Sequence, residues 1–214
     1  MGQSNPHQPI FAEASPEIYT RPYPIIGPQY CVPYPVDIAI VRKFMSVTDG
    51  TFVVNDIADN LMFKVKEKLI SLHKRRTVLD PYDNPIVTVT KKLISAHEKH
   101  YVFRGNSTDS KDLLFTVGKS KMIQLKTTLN VYLASNNKQD VCDFKIKGSW
   151  LERSCIFYAG ESKAIVAQMQ KRITAGSVML DKDRYTVTVY PNIDYAFVVA
   201  LIVILDEINN DDDD

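Results

Sequence analysis

Two histidines flank a glutamate and a lysine in HEKH, residues 97–100, and these are residue types that zinc-dependent hydrolases use. That chemistry needs H-E-x-x-H on a helix, so that both imidazoles reach one metal while the glutamate activates water. The fifth position here is Tyr101, and on a strand His97 and His100 would point to opposite faces. The spacing therefore predicts surface or edge histidines and no metal site. Gly118-Lys119-Ser120 has the ending of a phosphate-binding loop, but Leu113 stands where that loop requires its first glycine, and strands surround the segment. Cys142 and Cys155 form no C-x-x-C pair. Cys142 shares an alternating apolar face with Phe144 and Ile146, so both cysteines read as small buried hydrophobes. The residues compose no catalytic constellation and call for no cofactor.

The remaining chemistry is electrostatic. LHKRR brings together Lys74, Arg75 and Arg76, and Lys64, Lys66 and Lys68 lie on the preceding strand. Such a patch suits a phosphoinositide or another anionic membrane surface, because arginine contacts phosphate in a bidentate way and lysine acts as a point charge. The alternative is a solvated strand face. The formal net charge of +1 supplies no long-range field, so no contact with nucleic acid is expected. Trp150 and the eleven tyrosines do not interleave with basic residues in one segment, and they read as core and rim. Three cysteines are too few for a disulfide framework, and MGQSNPHQPIF lacks the basic-then-apolar order of a signal peptide. The expected location is cytoplasmic, peripheral at a membrane where the patch engages one, and not secreted.

The elements that must position these residues follow from periodicity. Most of the eleven prolines fall in residues 1–36, which predicts a flexible arm whose last part clamps on the domain. Beyond it the period is two. Leu61, Phe63 and Val65 oppose Lys64 and Lys66; Ile165, Ala167 and Met169 oppose Gln168 and Gln170; Tyr185, Val187 and Val189 oppose Thr186 and Thr188. Turn signals at TDG 48–50, DPYDNP 80–85, SNNKQD 135–140 and KGS 147–149 separate the runs. Ten to twelve strands at this spacing, with no βαβ alternation, predict a sandwich or barrel.

One segment breaks the pattern. NIDYAFVVALIVILDEIN is too long for a strand and predicts a helix over about 193–208, capped by Asn192 with Asp194 in its first turn. The carboxylates at its far end oppose the helix dipole, so fraying is expected near Asp206. Its apolar residues Tyr195, Phe197, Val198, Val199, Leu201, Ile202, Ile204 and Leu205 cover every face, so something must enclose them. The run from 195 to 205 reaches roughly 16 Å, against roughly 30 Å of hydrocarbon in a bilayer. A closed sheet of about a dozen strands has room for a helix roughly 10–12 Å across. The helix is expected as an interior plug.

VDIAIVRKFMSVTDGTFVVND, LMFKVKEK, DLLFTVGKSKMIQLKT, CDFKIKGSWLERSCIFYAGESKAIVAQM and YTVTVYPNIDYAFVVALIVILDEIN closely resemble the plant LURP-one-related proteins. The resemblance runs from about Cys31 to Asn209. It implies a twelve-stranded barrel around a central helix, kinship to tubby domains and phospholipid scramblases, and a link of some members to plant defence. It brings no catalytic activity and no settled ligand. A scramblase's cysteine cluster and acidic calcium loop are absent from this sequence.

The expected organisation is an arm over 1–36, a tubby-like barrel over 37–209 and an acidic tail over 210–214. The expected function is a non-enzymatic binding module with an unidentified protein partner. The alternative is a peripheral protein that binds anionic lipid through Lys74, Arg75 and Arg76. A scramblase-like or tail-anchored protein is a further reading, disfavoured by the length of the apolar run.

Overall fold

Alternation puts one face of each strand toward a shared interior, and the strands meet as a closed ring. The computed structural model describes residues 19–42, 52–70, 73–94, 97–123, 126–150, 153–170 and 184–211. The TDG turn, the arm before Tyr19 and the last three aspartates lie outside the described residues.

The strands are β1 (Val36–Arg42), β2 (Phe52–Asp56), β3 (Leu61–Ile70), β4 (His73–Leu79), β5 (Pro85–Ile94), β6 (His97–Arg104), β7 (Leu113–Ile123), β8 (Lys126–Leu133), β9 (Phe144–Gly148), β10 (Ile156–Ala159), β11 (Ile165–Gln170) and β12 (Arg184–Val189). Each pairs antiparallel with its neighbour in sequence, and β12 returns to β1 with Val36 opposite Val189. Closure leaves no edge strand with unpaired backbone groups. One helix, α1 (Tyr195–Asp211), follows the last strand.

The inward rows follow the predicted alternation except at Leu61, which lies beyond the register shift after Val54 and is 37% exposed. Phe63 and Val65, Val87 and Val89, Phe144 and Ile146, and Val187 and Val189 are all at most 2% exposed. They pack on α1, whose residues 196–205 are at most 1% exposed. Phe197 sits 5.0 Å from the ring of Phe115 and 4.9 Å from that of Phe144. At one end of the barrel β9 leads through Ser149 to Trp150, whose ring meets that of Tyr185 edge-on at 5.2 Å. Arg153 lies over both rings. Trp150, Cys142 and Cys155 are buried, as expected for core residues.

Two expectations change. The helix starts at Tyr195 and runs to Asp211, and it does not fray at Asp206, which is 3% exposed. Its cap is Asp194 rather than Asn192: the Phe197 N–H donates to Asp194 Oδ1 at 3.0 Å, the geometry of an N-cap carboxylate. Asn192 instead takes a left-handed φ of 64° and donates its side-chain amide to the Tyr19 carbonyl. From Tyr19 the arm lies against the barrel, with Ile26 buried and Tyr30 packed on Phe63 and Tyr195.

Candidate functional site

The helix enters the barrel through the mouth where β12 ends. Here one carboxylate does most of the joining. Asp194 Oδ2 accepts hydrogen bonds from the backbone N–H groups of Ile25, Ile26 and Gly27 at 3.0, 2.7 and 3.0 Å, while its other oxygen caps the helix. Burial pushes this carboxyl above its ordinary value, although the four N–H donors pull the other way. Arg104 Nη1 donates to the Ile26 carbonyl at 2.7 Å, and the Tyr23 N–H to the Asn192 carbonyl at 2.9 Å. The proline-rich segment is thus tied across the helix entrance.

The far end of the helix meets side-chain charge. Arg76 on β4 is 3% exposed. Its Nη1 donates to Asp206 Oδ2 at 2.9 Å, and its Nε to Glu67 Oε2 at 2.8 Å. Desolvation pulls its pKa down, but the carboxylates of Asp206, Glu207 and Glu67 outweigh that, and the guanidinium is held more firmly charged than usual. His100 Nε2 lies 3.9 Å from Glu207 Oε1, both side chains 2% exposed. Register pairs Lys91 with His100 and Lys119 with Leu129, so alternation starts both lysines on the inward face. Carboxylates on an enclosed helix survive here because cations from the wall accompany them.

This arrangement redraws the basic patch read from the sequence. Arg76 faces the interior and is committed to Glu67 and Asp206, so it is not available on the outer wall. The side chain of Lys74 lies outside the described residues. Arg75 faces outward, and its Nη2 donates to the carbonyl and the Oδ1 of Asn106. Directly across the β3–β4 ladder from Arg75 stands exposed Lys68. Lys66, also exposed, is on the same face and donates to Asp83 at 2.9 Å. Lys92 on β5 extends the wall, its ammonium 5.1 Å from the centre of the Tyr101 ring. The outer patch therefore comprises Lys66, Lys68, Arg75 and Lys92.

The other chemical candidates settle as follows. His100 is buried rather than on an edge, because it faces the helix; the side chain of His97 lies outside the described residues. Gly118-Lys119-Ser120 lies within β7, as a strand and not a phosphate loop. Burial pushes the thiols of Cys142 and Cys155 up to about 11 and about 12, far from reactive thiolates. Among the described residues no group of His, Cys, Asp and Glu is arranged to hold a metal ion. The interior ion cluster was missed in the sequence. Its signal was present: an arginine on the same alternating face as Val78, and two carboxylates ending a helix with no other polar side.

A closed twelve-stranded meander holding its own C-terminal helix defines the helix-filled, tubby-like class of barrel. Within that class, the LURP-one-related family profile matches residues 36–206, and the chain belongs to that family. It is 56% identical over 188 residues to Protein LURP-one-related 15 of Arabidopsis thaliana, covering 88% of this chain and 87% of that one. Protein LURP-one-related 10 of the same plant is 52% identical, with 88% and 97% covered. The X-ray structure of an Arabidopsis thaliana protein superposes with a TM-score of 0.68 at 47% identity, covering 86% of this chain and 98% of that one.

Proposed function

We propose that the protein is a non-enzymatic binding module that works from its outer wall and rim. The observation that carries this reading is the filled interior: residues 196–205 of α1 are at most 1% exposed. Small-ligand barrels hold their ligand in the space that this helix occupies. The same burial takes the apolar run away from any bilayer, which counts against the tail-anchored reading, and no helix among the described residues is long and apolar enough to cross a membrane. Thermal unfolding against a library of small metabolites tests the proposal, together with co-purification from plant extract. Little change in Tm and a stoichiometric protein partner are expected. A metabolite that raises Tm sharply, or is turned over, would refute it.

A second reading, peripheral binding to anionic lipid, is favoured by the face-to-face pair Lys68 and Arg75, which forms no ion pair with a carboxylate among the described residues. Like charges placed opposite each other across a ladder are destabilising, and an anionic phosphate would relieve that repulsion. Sedimentation with phosphoinositide liposomes tests it. Binding should weaken as salt rises and drop in the K68A/R75A variant. Equal binding by wild type and variant would reject it. Replacing Arg76 would not be a clean test, because it would strip the interior cluster.

A further inference from the structure

Two hairpins at the mouth end of the barrel are built alike. β2 and β3 are joined through Asp56-Ile57-Ala58-Asp59-Asn60, and β4 and β5 through Asp80-Pro81-Tyr82-Asp83-Asn84. In the first, Asp56 Oδ1 accepts from the N–H groups of Ala58 and Asn60, and Asn60 Nδ2 donates to Asp56 Oδ2. In the second, Asp80 makes the same three bonds with Tyr82 and Asn84. Asp59 and Asp83 both take left-handed φ values, 65° and 66°. The ladder shifts register at the same place in both, after Val54 and after Val78. The turns project side by side, about 10 Å apart at two strand spacings.

Each rigid turn carries an exposed apolar side chain. Ile57 is 61% exposed and Tyr82 86%, and Leu61 and Tyr34 stand beside them at the same end of neighbouring strands. Among the described residues, every large hydrophobic side chain that is exposed lies at this end, Val141 being the other. Scattered apolar residues on a surface are ordinary, but a cluster on pinned turns is a feature of interaction sites. The charge beside it is negative on balance: Asp56, Asp59, Asp80 and Asp83 stand there against Lys64 and Lys66, which both pair with Asp83. Asn60 and Asn84 hold the carboxyls of Asp56 and Asp80 below their ordinary value, and Lys66 and Lys64 do so for Asp83. Carboxylates fixed in this way oppose an anionic lipid surface and complement a cationic one.

We infer that this rim docks a protein segment that combines aromatic or branched apolar anchors with lysine or arginine. The inference rests on the binding-module reading and names the surface and the partner chemistry. The test is selection of a random dodecapeptide phage library on the full chain. Recovered peptides are then measured against wild type, the I57S/Y82S double variant and D59N, whose asparagine tolerates the left-handed backbone. Recovered peptides should pair apolar with basic residues. They should lose about tenfold or more in affinity on the double variant, bind D59N more weakly than wild type and weaken as salt rises. Peptides that bind the double variant as tightly as wild type overturn the rim site and leave the module reading standing. Recovery of only acidic peptides, or of none, also overturns it. So does co-sedimentation with phosphatidylcholine or phosphatidylserine vesicles that the same double variant abolishes, since lipid would then be the occupant.

Discussion

The two ends of the plugging helix are held by opposite means. At the mouth, a single carboxylate, Asp194, gathers backbone N–H groups from the arm and the helix. At the far end, Arg76 gathers carboxylates from a strand and the helix. The first device is specified by backbone geometry and depends little on which side chains the arm carries. The second depends on particular side chains meeting across the interior. It follows that the mouth should tolerate sequence change in the arm, whereas the far end should not tolerate loss of Arg76.

The most severe way to break the comparison is to destroy what both ends serve. Val199 is fully buried in the first third of α1, and a carboxylate there has no water to reach. V199D should cost more than about 4 kcal/mol and prevent folding, read as loss of soluble, cooperatively unfolding protein. Next comes the far end alone. R76M removes the guanidinium that Glu67 and Asp206 share, and should destabilise by about 3–5 kcal/mol in chemical denaturation. The mouth alone should matter less. D194A removes the cap and the arm's three bonds, at a cost of about 2 kcal/mol, and should expose residues 19–35 to protease before the barrel unfolds. Residues 194 and 206 stand about 18 Å apart along the helix, so the two changes together should add to within about 0.5 kcal/mol. A much larger departure would show that the ends communicate.

The smallest effect is a titration. Asp194, buried, should titrate above 3.8, and Asp80, held by Asn84 on the rim, below it, as followed by carboxyl NMR shifts. The signs for stability are opposite. Asp80 contributes stability that is present above its unfolded value and lost as pH falls through the lower folded value. Asp194 makes the folded state bind its proton more tightly, so its contribution declines as pH rises from 3.8 through the folded value.

Much of the barrel could be read from alternation because each strand has one dry face, and residues such as Phe63, Val65, Val187 and Val189 announce it locally. The helix could be read because no strand is that long and no bilayer is that thin. The arm was only half legible, since prolines predict extended chain but not what it lies against. Arg76 was misassigned for a reason of register. LHKRR appears as one basic word, yet a strand sends alternate residues to opposite sides, and Val78 placed Arg76 inside with Glu67. The ion cluster needed partners distant in sequence. Arg76 and Asp206 are 130 residues apart.

By itself, then, the sequence determined the strand periodicity, the enclosed apolar helix and the absence of a recognisable catalytic motif, because these depend on neighbouring residues and on the solvation of each side chain. Only the tertiary structure decided which cation answers which carboxylate, which end of the barrel the arm covers, and which basic residues remain outside. Those outcomes depend on closure of the sheet, which brings together residues that no local pattern connects.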